Sequence, residues 1–525
     1  MKVLVSDKLG ENGIQMFEAC DGISVDVNTG LSPEELKEII KDYDALVIRS
    51  ATKVTKDILD AADRLKVVGR AGIGLDNVDI PAATKKGIIV MNTPLGNVVT
   101  TAEHAISMML ALTRNIPQGT MSLKQGRWEK KSLQGREIYN KVLGLIGLGK
   151  IGSIVADRAR GLKMKVIVYD PHVTPEQIQK HGYESVSLQE LYKRADYITI
   201  HVPKLKETIG LLNKSAFDQM KKGVMVINCA RGGIINESDL YNALESGQVA
   251  GAALDVFETE PPGQTPLITM DNVICTPHLG ASTKEAQSNV ASDVADQIID
   301  YLKNGTIRNA VNAPNVSGDL MKILGPYLRL ADRMGAFQAQ MTDQPITEVN
   351  LEYLGAFKGM DISPVTTAAL KGLLEPVVKY AVNFVNAASI AQSRGIKVSV
   401  TKNDYSEDYQ DLINMRVKYG EKENIVSGTL FGKDPKLVRV NNFRVELTPE
   451  GNLLIITNED KPGAIGSMGV LLGENNINIG AMHVGRAIEG NLNVIYIVTD
   501  ISVSQAIQKK ILALPLVKSV MTVEL

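Results

Sequence analysis

The chain has 525 residues, 44% of them hydrophobic and 22% charged, with a formal net charge of -2. That is chain enough for about three or four domains with sizeable cores, too apolar for extensive disorder, and too nearly neutral to offer nucleic acid or a membrane surface an electrostatic footprint. Three widely spaced cysteines, Cys20, Cys229 and Cys275, form neither a disulfide framework nor a zinc pattern and fit a reducing, cytoplasmic compartment, and no apolar run is long enough for a signal peptide or a membrane span.

In chain order, short β-rich runs at 2–6, 45–49, 66–69 and 88–91 alternate with helix-like stretches such as 32–40, where Ser32 and Glu35 make a capping box and Pro33 fits the first helical position. The alternation predicts an α/β unit with a parallel sheet. A helical pattern over 100–115 leads into a second unit, with strands at 142–146, 165–169, 197–201, 224–228, 250–254 and 273–275. Ser282 and Glu285 suggest another capping box, opening a helix to about residue 304. Residues 306–319, rich in Asn, Pro, Gly and Ser, read as a linker. Residues 320–445 mix an amphipathic helical pattern over 366–394, broken near Pro376, with strand-like runs. The tail from 452 orders itself as strand, helix, strand, strand, helix, strand, a ferredoxin-like arrangement.

The apolar run at 142–146 passes straight into Gly147-Leu148-Gly149-Lys150-Ile151-Gly152, which opens a helix. That is the context a dinucleotide fingerprint requires. Gly147 permits the tight turn, Gly149 the approach of backbone to pyrophosphate, and Gly152 the contact of helix with strand, while the helix N-terminus offers N–H donors to phosphate. Asp170, at the end of the next strand, suits the ribose hydroxyls and repels a 2′-phosphate, so NAD is expected rather than NADP.

Three further segments fall at strand ends: Asn228 to Gly233, Ala253 to Pro261, and Thr276 to Ala281. They supply an Arg, several acids and a His. Oxidising a 2-hydroxy acid needs a base for the hydroxyl proton and a cation for the carboxylate. An imidazole titrates near neutrality, which suits His278 to the first task, and the planar fork of Arg231 suits the second. Glu260 on the other imidazole nitrogen would fix its tautomer, leaving Asp255 for the nicotinamide amide. Cys229 reads as a small buried hydrophobe. The six histidines are scattered without ligand spacing, so no metal is expected.

Gly69-Arg70-Ala71-Gly72-Ile73-Gly74-Leu75-Asp76-Asn77-Val78-Asp79, the glycine fingerprint, Cys229-Ala230-Arg231-Gly232-Gly233, Leu254-Asp255-Val256-Phe257 and Pro277-His278-Leu279-Gly280 together resemble the D-isomer-specific 2-hydroxyacid dehydrogenases. The resemblance implies catalytic roles for Arg231, Glu260 and His278. It also implies cofactor contacts at Lys150, Ile151, Asp170, Val202, Cys229, Ala230, Arg231, Asp255, His278, Leu279, Gly280 and Ala281. The whole chain is similar to the long members that act on 3-phosphoglycerate at the start of serine synthesis. In those, positions matching Arg49, Ser50, Ile73, Gly74 and Asn97 meet the substrate, as do Arg231 and His278. Ile73 and Val202 stand where some relatives place Thr, so contacts there use backbone atoms.

The implied fold is α/β: a flavodoxin-like substrate domain (1–95 and 285–310), a Rossmann-like NAD domain (96–284), an α+β intervening domain (320–445) and a ferredoxin-like ACT domain (452–525). In the tail, Asn458 to Gly463 and Asn475 to Ile479 are similar to the ACT signature, which together with the implied pathway suggests an L-serine effector at Asp460 and Asn478, and the family likeness implies a homotetramer. Removing 452–525 is then expected to relieve inhibition if the remaining assembly survives. The alternatives are a dehydrogenase of glycerate, hydroxypyruvate or lactate, and a NAD-sensing, corepressor-like binding protein.

Overall fold

A computed structural model describes residues 1–525 apart from 316–317, 356, 358, 380, 407 and 487–490. The chain falls into two compact units, one made of Met1–Leu9, Gly13–Thr93 and Val294–Leu525, the other of Gly10–Asn12 and Pro94–Asp293.

The first unit opens with five parallel strands, β1 (Lys2–Val5), β2 (Ser24–Val27), β3 (Ala45–Ile48), β4 (Val67–Arg70) and β5 (Ile89–Asn92), in the order β2-β1-β3-β4-β5. That is the flavodoxin-like order. The central strand β3 reads Ala-Leu-Val-Ile and is buried throughout, as a strand covered on both faces must be. Helix Pro33–Ile39 starts at the expected capping box, with Ser32 Oγ accepting the Glu35 N–H and Glu35 accepting the Ser32 N–H.

In the second unit seven parallel strands, β6 (Val142–Ile146), β7 (Lys165–Tyr169), β8 (Glu184–Ser185), β9 (Tyr197–Ile200), β10 (Val224–Asn228), β11 (Val249–Leu254) and β12 (Val273–Cys275), stand in the order β12-β11-β10-β9-β6-β7-β8. The order reverses between β6 and β9, the switch point of a doubly wound sheet. One core packs Ala102, Met109, Val155 and Ala159 on one face, and another packs Leu191, Phe217 and Leu240 on the opposite face. The helix expected over 100–115 runs Val98–Thr113; Asn115 then takes a left-handed conformation and a second helix, Ile116–Lys124, follows.

Two local expectations need correction. The helix expected from Ser282 is Lys284–Asn304, and its side-chain cap is Thr283, whose Oγ1 accepts the Ala286 N–H at 3.2 Å. Glu285 is therefore one position too early to reach back as a capping-box partner. The stretch 306–319 is no free linker either: Val311 N–H donates to Val90 O at 2.9 Å, and the Asn312 side chain accepts from Val90 N–H and donates to Ile88 O. The Asn312 carboxamide serves as a sheet partner for β5, which composition alone does not reveal. Residues 316–317 of that stretch lie outside the described residues, and a helix has begun by Gly318.

The rest of the first unit carries two more sheets. Strands β13 (Ile346–Gly355), β14 (Lys397–Asn403), β15 (Asp411–Tyr419), β16 (Lys422–Phe431), β17 (Asp434–Val440) and β18 (Phe443–Leu447) form one in the order β14-β13-β15-β16-β17-β18. Helices Gly318–Gln340 and Ser363–Leu374 pack together beside it; a Cβ at Gly372 would stand 1.9 Å from Asp332 O, so only glycine permits this approach. The pattern over 366–394 does break near Pro376, into Ser363–Leu374, a 3-10 turn Glu375–Val377 and Ala387–Ser393.

The last strands, β19 (Asn452–Glu459), β20 (Ile479–Arg486), β21 (Leu492–Thr499) and β22 (Val517–Glu524), stand in the order β20-β21-β19-β22, antiparallel and ferredoxin-like. One face of this sheet packs Leu454, Ile456, Ile495 and Ile497 with Met468, Leu472 and Ile511 of its own helices. The other sends Leu453, Ile455, Val494, Tyr496 and Val523 into the core of the preceding sheet and its helices. Among the described residues, no helix is long and apolar enough to cross a membrane.

Candidate active site

The site is built at the C-terminal ends of the strands in the second unit. Gly147 follows β6 with φ +95, a left-handed turn in which a Cβ would meet His201 O at 2.6 Å and the Val202 side chain at 2.7 Å. Gly152 lies one turn into helix Lys150–Gly161, where a Cβ would stand 2.0 Å from Gly147 O. At Gly149, the N-cap, a Cβ would meet nothing within 4 Å. Two glycines are thus required by close packing, and the third leaves open space before a row of unpaired helix N–H donors. That opening, with Lys150 and Ile151 behind it, fits a dinucleotide pyrophosphate.

Asp170 closes the turn from the end of β7. Its Oδ2 accepts the Leu148 N–H at 2.7 Å and its Oδ1 the His172 N–H at 2.8 Å. Each carboxylate oxygen keeps a second lone pair for a ribose hydroxyl. His201, after β9, shares a 2.9 Å hydrogen bond with Thr199 Oγ1, and burial pushes its imidazole down to about 4. It stays neutral beside the glycine turn.

The second strand end is ordered by Asn228, which is buried. Its Oδ1 accepts the Ala230 N–H at 3.0 Å and its Nδ2 donates to Arg231 O at 2.9 Å, fixing the backbone that carries Arg231. Arg231 Nη1 donates to Ala230 O. Burial, and then the Asp255 charge, hold the Cys229 thiol well above its ordinary value, so it remains a protonated, packed side chain.

Asp255 is fully buried at the end of β11 and anchors the third segment. Its Oδ1 accepts from Thr276 Oγ1 at 2.5 Å and from the Leu279 N–H at 2.7 Å, and its Oδ2 accepts the Gly280 N–H at 2.8 Å. His104, on helix Val98–Thr113, lies 3.2 Å from Oδ1 and 3.1 Å from Thr276 Oγ1. Burial would raise the Asp255 carboxyl, but the hydrogen bonds from His104, Thr276 and Leu279, with the His104 charge, outweigh it and hold it below its usual value. The contacts make Asp255 the peg on which the loop through Ala281 hangs. No local pattern marks His104 in the sequence, because its partners, Thr276 and Asp255, lie on other elements; Asn228 bonds within its own loop, two and three residues on, where an Asn side chain commonly closes a turn.

His278 sits in that loop at φ +53, its N–H donating to Asp255 O and Thr276 O. Its Nδ1 is 2.7 Å from Glu260 Oε2, and Glu260 Oε1 accepts the Phe257 N–H at 3.2 Å. With Nδ1 taken up and the side chain 48% exposed, Nε2 is the nitrogen presented outward. Asn97 belongs to the same unit; it is buried, and its side-chain oxygen has no hydrogen-bond partner.

The first unit carries the other residues expected to meet substrate, at the ends of β3 and β4. Arg49 N–H donates to Asp7 Oδ2 at 2.6 Å, and Ser50 follows it in an exposed position. Asn77 donates to Arg49 O at 2.7 Å and accepts from Arg70 Nε at 3.2 Å, linking Arg70 to the Arg49 backbone, while Arg49 Nη1 donates to Lys8 O at 3.3 Å. The loop through Ile73 and Gly74 is fixed by Asn92, whose Nδ2 donates to Ile73 O at 2.6 Å. Asp460 and Asn478 are exposed but not brought together: they flank helix Ala464–Glu474 at its two ends, and its 11 residues span roughly 16 Å.

A glycine turn opening on unpaired helix N–H donors, a carboxylate at the end of the next strand, and a His–Glu pair whose glutamate loop meets the Arg231 loop fit an NAD-dependent dehydrogenase of the D-isomer specific 2-hydroxyacid class. The sequence model for the NAD binding domain of that class matches residues 106–280, followed by the D-3-phosphoglycerate dehydrogenase intervening domain at 323–441 and an ACT domain at 452–516. D-3-phosphoglycerate dehydrogenase of Methanocaldococcus jannaschii is 43% identical over 100% of both chains, and that of Bacillus subtilis 42% identical over 100% of this chain and 99% of its own. The chain belongs to the D-3-phosphoglycerate dehydrogenase family. Among solved structures, D-lactate dehydrogenase from Aquifex aeolicus, complexed with NAD and lactic acid, is 29% identical with a TM-score of 0.54, covering 60% of this chain and 100% of that one. The cofactor is NAD.

Proposed function

We propose that the chain oxidises 3-phospho-D-glycerate to 3-phosphohydroxypyruvate, the first step of L-serine biosynthesis. The observation that carries this is the full-length match to D-3-phosphoglycerate dehydrogenases: the D-lactate dehydrogenase above covers 60% of the chain, while the rest matches the intervening and ACT domains of the phosphoglycerate enzymes. Bound NAD supplies the hydride acceptor. His278 Nε2 takes the C2 hydroxyl proton, and Glu260 across the 2.7 Å contact stabilises the imidazolium that forms. Arg231 holds the substrate carboxylate, and Asn97 supplies another substrate contact. Arg49 and Ser50 take the phosphate, a role for which Arg70, linked to Arg49 through Asn77, is equally suited, and the backbone at Ile73 and Gly74 meets the substrate as well. Asp255 positions the His278 loop.

On this reading residues 1–95 and 285–310 form the substrate domain, 96–284 the NAD domain, 320–445 the intervening domain and 452–525 the ACT domain, in a cytoplasmic homotetramer. L-serine acts as effector. Because Asp460 and Asn478 stand at opposite ends of one helix, a single serine would be shared between two copies of the ACT domain. The test is NAD reduction measured against 2-hydroxy acids with and without phosphate at C3. Preference for D-glycerate or D-lactate over 3-phosphoglycerate would overturn the assignment, and calorimetry showing no serine binding would remove the effector.

A further inference from the structure

The loops carrying Arg231 and Glu260 come from different strand ends, and something must hold them in register. Backbone contact does part of this: a Cβ at Gly232 would stand 1.7 Å from Phe257 O and 2.8 Å from Glu258 N, so the two loops touch main chain to main chain. Beside that contact, Glu237 N–H donates to Glu258 Oε1 at 3.2 Å, and Glu258 N–H donates to Glu237 Oε1 at 2.6 Å. Glu237 opens helix Glu237–Glu245, which follows the Arg231 loop, while Glu258 lies two residues before Glu260.

We propose that Glu237 and Glu258 form a reciprocal clamp that positions Arg231 against the Glu260–His278 pair. It rests on the catalytic reading above and extends it to two positioning residues. Each carboxylate accepts one backbone N–H from the other loop, so what the clamp needs from each side chain is an acceptor oxygen, not a charge. The charge is in fact unwelcome at Glu237: burial raises its carboxyl, the Glu258 N–H lowers it, and the Glu258 charge raises it again. A glutamine keeps the acceptor and removes that opposition. From Glu258 the path is short: the Phe257 N–H donates to Glu260 Oε1, and Glu260 Oε2 meets His278 Nδ1. Loss of either clamp bond loosens both loops at once, leaving the Gly232–Phe257 backbone contact to hold them.

The test uses the full-length enzyme. Glu237→Ala and Glu258→Ala are expected to lower kcat/KM for 3-phosphoglycerate about ten- to a hundredfold, as small misplacements of catalytic groups do, with NAD affinity by calorimetry unchanged. The double alanine variant should be no worse than the poorer single one, because the two bonds act as a unit. Glu237→Gln and Glu258→Gln should recover most of the loss. Alanine variants with wild-type kcat/KM would overturn the clamp, as would glutamine variants as impaired as alanine ones. Hydrogen exchange of the wild-type enzyme needs no variant: the Glu237 and Glu258 amides should be protected, and free exchange there would also overturn it. His278→Ala in the same assay keeps the two readings apart. If it retained turnover, the catalytic assignment would fall, while amide protection would still judge the clamp.

Discussion

Glu260 holds Nδ1 of His278, so the imidazole offers one nitrogen and not two. Replacing it by alanine should lower kcat by about 10²–10⁴ with NAD affinity nearly unchanged; near-normal turnover in a folded variant would remove His278 from the chemistry. Asp170 serves two partners, since it also accepts the Leu148 and His172 N–H groups. Asp170→Ala is therefore expected to narrow the preference for NAD over NADP and to lower the melting temperature together; an unchanged cofactor ratio would put the selectivity elsewhere. His201 makes a pH prediction. Its folded imidazole is pushed down to about 4, below the ordinary histidine value, so its contribution is full above about pH 6.5 and is lost as pH falls from there towards 4. Urea unfolding at pH 7 and pH 5 should show a loss on the order of 1–3 kcal/mol in the wild type that His201→Asn lacks. Equal losses in both proteins would refute it. The pairing of His278 with Glu260 and the place of Asp170 at the glycine turn were legible in the sequence because strand ends and a known chemistry pointed to them. One support was not: His104 acts through Thr276 and Asp255 on other elements, and such contacts leave no local spacing to read.

The glycine turn carries a contrast between packing and access at the level of the element. A Cβ at Gly152 would run into Gly147 O, whereas one at Gly149 would enter open space. Gly152→Ala should cost stability by about 1–3 kcal/mol, as overpacking does, while Gly149→Ala should keep the wild-type melting temperature and lose NAD affinity. Tight NAD binding by Gly149→Ala would show that the pyrophosphate does not come where the opening is. This turn could be read from spacing because strand, glycines and helix follow one another directly. The stretch 306–319 misled for the opposite reason: Asn and Pro signal an end to helix, yet Asn312 also makes a sheet partner, and only the fold decides between the two. The cap at Thr283 rather than Ser282 is a shift of one residue, within what competing hydroxyls leave open.

For the whole molecule, the run Leu453-Leu454-Ile455-Ile456 says in the sequence that β19 is buried on both faces, but not what covers the second face. The structure supplies the cover: Leu453, Ile455, Tyr496 and Val523 complete the core of the preceding sheet, and Gln340 exchanges two hydrogen bonds with the Glu524 backbone. Removing 452–525 would strip that core, so the truncated enzyme is expected to unfold at lower temperature or aggregate rather than simply lose the proposed effector response. A truncated protein melting as the full chain does would contradict this. The same shared core bears on how such enzymes can be recombined. A crossover placed between 447 and 452, where the sequence suggests a module boundary, would pair a foreign sheet with a surface shaped for this one. A splice upstream of the helix Gly318–Gln340 would carry both partners of that core together, so regulatory ends should be exchanged between enzymes only with the intervening segment attached.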